Sequence, residues 1–210
     1  MPLAWETAAS FFGLAVVLGL TPGPDNLFVL TQAAAHGRRS GLWVVAGLCT
    51  GLMGHILLVT AGVAAVLAAT PWAMRLIQLL GAAYMLRLAF GAWMTAHADP
   101  VVGGGASGQP PSASALWARG VVMNLSNPKV ALFFLALLPQ FVVPARGPAV
   151  AQLLSLGALF MVATVLVFGA IAVFAGALGQ QLLRHPRAQR AINRLAAVVL
   201  VLLALRLLLP

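Results

Sequence analysis

Two proline-containing stretches each place a charged side chain inside a long apolar segment of the chain. The first, Leu20 to Asn26, reads LTPGPDN and puts Asp25 directly after a proline; the second, residues 124–129, reads NLSNPK and does the same with Lys129. Proline cannot continue a regular helix, because it lacks a backbone N–H and its ring clashes with the preceding turn. Charged groups inside membrane spans mostly mark substrate or ion paths. The pattern therefore predicts two broken helices that take part in moving a solute or an ion.

Two interpretations of Asp25 and Lys129 stay open on the sequence. In the first, both side chains take part directly in transport. In the second, they form a buried ion pair that only holds two halves of the protein together. Such a pair adds little net stability once its desolvation cost is included, which favours the first interpretation. The two roles can coexist, because an internal pair that opens and closes is a gate.

Polar groups around the breaks are further candidates. The start of a half-helix carries a partial positive charge that suits a carboxylate, while nearby amide and hydroxyl groups either contact the solute or cap the broken helix ends. His55, midway along the second apolar segment, is either a proton relay or a hydrogen-bonded buried histidine. The candidate pathway residues are Thr21, Pro22, Gly23, Pro24, Asp25, Asn26, His55, Tyr84, Asn124, Ser126, Asn127, Pro128 and Lys129.

The chain lacks the sequence motifs of enzymes, of ATP-driven pumps and of metal sites. It contains no Gly-x-x-x-x-Gly-Lys-Ser/Thr phosphate loop, no Gly-x-Ser-x-Gly nucleophile elbow and no pair of carboxylates for hydrolysis. Its four histidines and one cysteine are scattered without metal-ligand spacing. We therefore predict that the protein is not an enzyme and has no catalytic residues, no cofactor and no bound metal.

The composition is that of an integral membrane protein. Hydrophobic residues make up 62% of the 210 residues and charged residues 7%, against about 25% charged in a soluble domain. The mean hydropathy is +1.02. We interpret the net charge of +9 as topological, since Lys and Arg collect in cytoplasmic loops. No basic run is interleaved with stacking aromatics, so we predict no nucleic-acid partner.

Six apolar segments are each long enough to cross a bilayer. They cover approximately residues 7–32, 42–67, 72–94, 116–142, 149–183 and 191–209. Short polar turns separate most of them, for example residues 36–41 and 184–187. Gly47 and Gly51 in the second segment form a Gly-x-x-x-Gly motif, which predicts close packing against another helix.

A Gly- and Pro-rich linker at residues 96–115 divides the chain into halves of three segments. The first half covers about residues 1–95 and the second about 116–210, and each half opens with a broken helix. Many secondary transporters share this inverted-repeat plan and bind their substrate where two broken helices meet near the membrane midplane. We therefore predict an all-α integral membrane protein with a single transporter domain. Its six transmembrane helices form two inverted three-helix repeats, with the first and fourth helices broken.

The arginines predict an orientation. The loops after the first, third and fifth segments carry seven arginines, while the termini and other loops carry three, so the positive-inside rule places both termini outside the cell. The seven are Arg38, Arg39, Arg119, Arg184, Arg187, Arg190 and Arg194, and the three are Arg75, Arg146 and Arg206.

Taken together, these motifs resemble the lysine exporter (LysE/RhtB) family of amino-acid exporters. The resemblance spans almost the whole chain, although the sixth segment lacks the expected glycines and Arg87 replaces an uncharged residue. It rests on residues 20–26, on Gly37-Arg38 and Gly41, on Gly47 and Gly51 with His55, on residues 81–86 (GAAYML), on residues 124–129 and on Pro139-Gln140-Phe141.

The resemblance implies a secondary active exporter of amino acids or similar small zwitterionic metabolites. It would lie in the bacterial inner membrane as a multi-pass protein and use a proton or other ion gradient. Its partners would be an amino-acid-like substrate, the coupling ion, membrane lipid and, by analogy, a second copy in a homodimer. Asp25 would meet the substrate's ammonium group and Lys129 its carboxylate.

Two alternatives are weaker. Export of metal cations or other non-amino-acid solutes usually involves clusters of His or acidic residues, which the sequence lacks. Transfer of reducing equivalents would need paired cysteines at the two breaks, whereas the single cysteine, Cys49, lies in the second segment.

Overall fold

The computed structural model describes residues 3–21, 23–69, 71–95, 111–175 and 186–208. Within these ranges the chain forms eight α-helices, two short 3-10 helices and no β-strand. The α-helices are α1 Trp5–Leu20, α2 Pro24–His36, α3 Arg38–Ala69, α4 Pro71–Thr95, α5 Ala113–Leu125, α6 Pro128–Leu137, α7 Ala149–Phe174 and α8 Pro186–Leu208. The 3-10 helices are Leu138–Phe141 and Pro144–Arg146.

Both predicted helix breaks are present. The chain bends by 64° between α1 and α2, and by 49° between α5 and the continuous pair of α6 with the 3-10 helix that follows it. Pro24 and Pro128 each lie at the start of the second half-helix. A proline is tolerated there because the first turn of a helix has no partner for its N–H groups. Each proline therefore begins a new half-helix directly before the charged residue.

Several helices are suited to a membrane by length and composition. Among the described residues, α3 over Arg38–Gly62 and α7 over its whole length are each long and apolar enough to cross a bilayer. The bent pairs α1–α2 and α5–α6 pass the same test when each pair is treated as one span. The all-helical character and the membrane class predicted from composition are thus confirmed.

Helix α3 is central to the bundle, packing most extensively against α5 and also against α7 and α2, while α4 packs chiefly against α8 and α6. Glycines allow the closest crossing. A methyl group on Gly47 would overlap the carbonyl oxygen of Trp117, and one on Gly120 would overlap that of Val44. A methyl group on Gly51 would lie 2.8 Å from Cβ of Asn124. The predicted role of Gly47 and Gly51 in close helix packing is confirmed, with α5 as the partner.

Aromatic rings fill the core between α1, α6 and α7. Phe11 and Phe134 are fully buried. The Phe11 ring lies 5.0 Å from that of Phe141, and the Phe134 ring lies 5.0 Å from that of Phe160, both in edge-to-face contact. Edge-to-face pairs add stability beyond their buried area. This aromatic core fixes the second broken helix against α1 and α7.

The predicted polar turn at residues 36–41 is wrong in extent. Only Gly37 interrupts the helices, and Arg38 already begins α3. Gly37 has a φ of +86°, a conformation that glycine adopts without strain, so one residue is enough to turn the chain. The predicted turn at residues 184–187 also differs: Pro186 begins α8, while residues 176–185 lie outside the described ranges.

The stretch predicted as a linker ends earlier than expected. Residues 96–110 lie outside the described ranges, but α5 begins at Ala113, inside the predicted linker. Ser112 explains this start, because its hydroxyl accepts a hydrogen bond from the Ala115 N–H at 3.2 Å. A serine at the N-cap position satisfies one of the unpaired donors of the first turn.

Candidate functional site

Both breaks contribute to the wall of one cavity of about 240 Å³. Residues from the two breaks and from α3, α4, α6 and α7 surround it. Nine of the residues predicted from the sequence line it, namely Gly23, Pro24, Asp25, Asn26, Tyr84, Asn124, Asn127, Pro128 and Lys129. The structure thus brings together the two motifs that lie about half the chain apart in sequence.

Polar groups of one break bind the other. Asn127 donates a hydrogen bond from Nδ2 to Oδ2 of Asp25 at 2.7 Å. The Lys129 ammonium, from the same break, donates to the carbonyl oxygens of Leu18 at 3.0 Å and Thr21 at 3.3 Å. These carbonyls end α1, where the last turn has unpaired acceptors and a partial negative charge. The second break therefore supplies the hydrogen-bond donors, Asn127 and Lys129, and the first break supplies the acceptors, the Asp25 carboxylate and the carbonyls at the end of α1.

The direct ion pair between Asp25 and Lys129 that one interpretation required is not formed. The two side chains line the same cavity, but Asp25 receives its hydrogen bond from Asn127, and Lys129 donates to backbone carbonyls. The reason is local, because the broken end of α1 presents unpaired carbonyl acceptors to the ammonium. At the two breaks, Asp25 and Lys129 are therefore held by hydrogen bonds rather than by a salt bridge to each other.

The starts of the two second half-helices differ. Asn127 caps α6, since its Oδ1 accepts from the Lys129 N–H at 3.0 Å. At the start of α2 the cap residue is Gly23, which has no side chain to do the same. Asn26 instead ties α2 back to α1 by donating from Nδ2 to the Gly19 carbonyl at 2.7 Å. The positive end of α2 is therefore left without a side-chain cap beside the cavity.

Three predicted residues support the breaks without lining the cavity. Ser126 is exposed, and its hydroxyl donates to the Val122 carbonyl at 2.7 Å. The Thr21 hydroxyl donates to the Val17 carbonyl oxygen at 2.9 Å. His55 is buried, and its Nε2–H donates to the Asn124 carbonyl at 3.1 Å. This geometry favours the capping interpretation of Ser126 and the hydrogen-bonded interpretation of His55.

Pro22, the remaining predicted residue, lies outside the described residues.

Two buried oxygens in the cavity wall lack a hydrogen-bond donor. Oδ1 of Asp25 and Oδ1 of Asn124 are both without a partner in the protein. Their residues are 6% and 5% exposed. Leaving a buried acceptor unpaired costs about 1–3 kcal/mol, and more for a charged group. Both atoms are closed to solvent, so the two acceptors stay unpaired in this conformation.

An apolar part of the wall was missed in the sequence. Phe160, Thr164 and Phe168 of α7 and Phe133 of α6 line the cavity. The spacing of four residues along α7 places the three α7 side chains on one helix face, and this periodicity is a signal that the sequence does contain. Leu18, Gly19, Leu48, Leu88 and Val130 complete the wall. Ordinary apolar residues of this kind carry no pattern that separates them from the rest of a membrane helix.

Comparison with known proteins supports the family resemblance. A family model described as LysE type translocator matches residues 16–210. The homoserine/homoserine lactone efflux protein of Salmonella typhimurium is 31% identical over 192 residues, covering 91% of this chain and 91% of that protein. The cysteine/O-acetylserine efflux protein of Salmonella paratyphi A is 31% identical over 203 residues, covering 95% and 96%.

A third relative, the leucine efflux protein of Klebsiella pneumoniae, is 37% identical over 139 residues, covering 65% of this chain and 64% of that protein. No solved structure matches the chain significantly. The family match covers both breaks and every residue that lines the cavity. This multi-pass membrane protein belongs to the LysE type translocator family.

Proposed function

We propose that this protein is a secondary active exporter of amino acids or similar small zwitterionic metabolites across the bacterial inner membrane. The observation that carries the proposal is the presence of both Asp25 and Lys129 in the wall of one cavity, where the two helix breaks meet. A carboxylate and an ammonium are the complementary groups for a free amino acid. The relatives named for efflux of homoserine, leucine and cysteine support the same substrate class.

In this proposal the chain has six spans arranged as two inverted repeats, with both termini outside the cell. The repeats cover about residues 1–95 and 116–210, and the cavity lies near the midplane. Its access alternates between the two sides as the repeats move against each other. The hydrogen bonds from Asn127 to Asp25 and from Lys129 to the end of α1 are the contacts between breaks that this movement would change.

The coupling ion in this proposal is a proton that competes with the substrate for Asp25. A protonated carboxyl is neutral and binds an ammonium group weakly, whereas the carboxylate binds it through a charge-assisted hydrogen bond. If Asp25 carries either the proton or the substrate, inward proton movement is exchanged for outward substrate movement. The buried position of Asp25 supports this role, because water competes little for a carboxylate that is 6% exposed.

Proteoliposomes test the proposal with the unmodified protein. Vesicles are loaded with one labelled amino acid at a time, and release is followed with and without an imposed pH gradient and with a proton ionophore. We expect release of at least one amino acid that the gradient accelerates and the ionophore slows. Absence of release for every amino acid would contradict the proposal.

A separate experiment on cells tests the alternative function, which is export of metal cations. Among the described residues, no group of three or more His, Cys, Asp and Glu side chains is placed to hold a metal ion. Cells that produce the protein are therefore expected to show no gain in resistance to metal salts. Clear protection, together with no amino-acid release, would favour export of metal cations instead.

A further inference from the structure

We propose that an open groove between α4 and α8 binds one phospholipid with an anionic headgroup, which lays an acyl chain along the groove and sets its phosphate on Arg194. None of the residues that line this groove lines the cavity between the breaks. The lipid site is therefore separate from the proposed export function, and either can fail without the other.

The shape of the groove suits a hydrocarbon chain. Its volume of about 370 Å³ lies within the range of about 300–1,000 Å³ that is usual for small-molecule sites. Two alanines, Ala89 and Ala197, form its floor and are only 3% and 4% exposed. Larger and more exposed side chains form its sides, namely Leu86, Phe90, Trp93, Val198, Val201 and Leu202. All of these side chains are hydrophobic, so the groove favours an apolar occupant over a polar solute.

The length of the groove matches one leaflet of a membrane. Trp93 lies near the end of α4 and Arg194 near the start of α8, and together they mark one end of the groove. Leu86 and Leu202 mark the other end. From Arg194 to Leu202, α8 rises about 12 Å at 1.5 Å per residue, which fits within half of a hydrocarbon core of ~30 Å.

A positive charge lies at the Trp93 end of the groove. The guanidinium carbon of Arg194 is 5.9 Å from the centroid of the Trp93 ring. Arg194 is exposed, and its guanidinium makes no hydrogen bond to another described residue. Arg190 is also exposed, one turn earlier on the same face of α8. A guanidinium carries five N–H donors in a planar fork that matches a phosphate group, so this end of the groove suits a phosphate.

The charges of the chain favour a lipid over a second copy of the protein as the occupant. The whole sequence has three acidic residues. Asp25 is buried in the cavity, Asp99 lies outside the described residues, and Glu6 is on α1. A symmetric dimer through this groove would use the same surface on both copies and so bring the arginines of both to one interface.

An anionic phospholipid supplies the negative charge that a second copy lacks. In the orientation proposed above, the start of α8 faces the cytoplasm. The cytoplasmic leaflet carries anionic lipids, and basic pockets between membrane helices on that side bind their headgroups.

Native mass spectrometry of the purified, unmodified protein tests the site. Two lipids with the same acyl chains are compared, phosphatidylglycerol, which is anionic, and phosphatidylcholine, which is zwitterionic. We expect one phosphatidylglycerol to be retained at a lipid concentration about tenfold lower than is needed for phosphatidylcholine, the effect of one hydrogen bond between charged groups. Glycerol phosphate, which has no acyl chain, is not expected to displace it. Equal retention of the two lipids, displacement by glycerol phosphate, or a dimer that retains no lipid would overturn the proposal.

A first variant pair tests the headgroup contact. Arg194→Gln removes the charge at an exposed position, and we expect its preference for phosphatidylglycerol over phosphatidylcholine to disappear. Arg146→Gln, at an exposed arginine outside the groove, should keep the tenfold preference. The same preference in both variants would show that Arg194 does not bind the headgroup.

A second variant pair tests the position of the acyl chain. Val198→Trp adds bulk to the side of the groove at a residue that is 50% exposed, so we expect retention of phosphatidylglycerol to fall severalfold. Val165→Trp, at a residue of α7 that is 48% exposed and outside the groove, is the matched control. Equal retention by these two variants would rule out the groove as the site of the chain.

Discussion

Asn127 and Asp25 connect the two broken helices through a hydrogen bond of 2.7 Å from the amide Nδ2 to the carboxylate Oδ2. The same Asn127 side chain caps α6 through its Oδ1. One residue thus begins a half-helix in the second half of the chain and orients the carboxylate of the first half. The two tasks use different atoms, so substitution can separate them.

Asn127→Asp should keep the cap but lose the link between breaks. Aspartate caps helices about as well as asparagine, so we expect thermal stability to change little. It cannot donate to Asp25 and places a second negative charge beside it, which should reduce efflux of a transported amino acid about tenfold or more. Purified protein is compared by thermal unfolding and by efflux from vesicles. Ser112→Asp, which changes the cap of α5 outside the cavity, is the control. Normal efflux by Asn127→Asp would show that the link is dispensable.

Lys129→Met should destabilise the first break. The substitution keeps a long side chain but leaves the carbonyls of Leu18 and Thr21 without their donor. An unpaired buried acceptor costs about 1–3 kcal/mol, so the midpoint of thermal unfolding should fall. Arg146→Met removes a positive charge from an exposed 3-10 helix and should have no such effect. Equal unfolding midpoints for the two variants would contradict the role of Lys129 at the end of α1.

Gly47→Ala should disrupt the crossing of α3 and α5. The added methyl group overlaps the Trp117 carbonyl, and forcing extra atoms into a packed contact typically costs about 1–3 kcal/mol. Gly62→Ala is the matched control on the same helix, because a methyl group there meets nothing within 4 Å. The yield of folded protein and the unfolding midpoint should fall for the first variant only. Two variants of equal stability would argue against the close approach.

Gln152→Leu should loosen the connection between α6 and α7. Gln152 is fully buried, and its amide makes hydrogen bonds of 2.9 Å to both backbone groups of Val143 and of 3.0 Å to the Gly147 carbonyl. At about 1 kcal/mol for each bond, the loss should approach 3 kcal/mol. Gln78→Leu, at a partly exposed residue of α4, provides the comparison in the same thermal unfolding assay. A Gln152→Leu midpoint as high as that of Gln78→Leu would contradict this role.

The sequence predicts the breaks well because proline and charge are strong local signals in an apolar segment. Proline fixes where a half-helix begins, and an isolated charge has few stable positions in a membrane. These two rules identify Asp25 and Lys129 and the residues beside them. The glycines at 47 and 51 likewise indicate close packing, although not the partner helix.

The hydrogen-bond partners of these polar groups cannot be predicted from the sequence in the same way. Opposite charges suggest an ion pair between Asp25 and Lys129, whereas in the structure the Lys129 ammonium donates hydrogen bonds to carbonyls at the end of α1. Backbone acceptors at a broken helix end carry no sequence signature of their own. The role of Gln152 is also absent from any local pattern, because its partners are backbone groups of a loop. Such bonds form only once α7 packs back against the loop that precedes it.

The most direct test of the account compares Asp25→Asn with Glu6→Gln. Both substitutions turn an acid into its amide, but only Asp25 lines the cavity, while Glu6 is exposed on α1. Efflux from proteoliposomes is measured for both variants and for the unmodified protein, with a labelled amino acid that the unmodified protein releases, under the same outward-directed substrate and inward-directed proton gradients. We predict that Asp25→Asn abolishes gradient-driven efflux, whereas Glu6→Gln retains it. Efflux by Asp25→Asn at the rate of the unmodified protein would contradict the central role of this carboxylate.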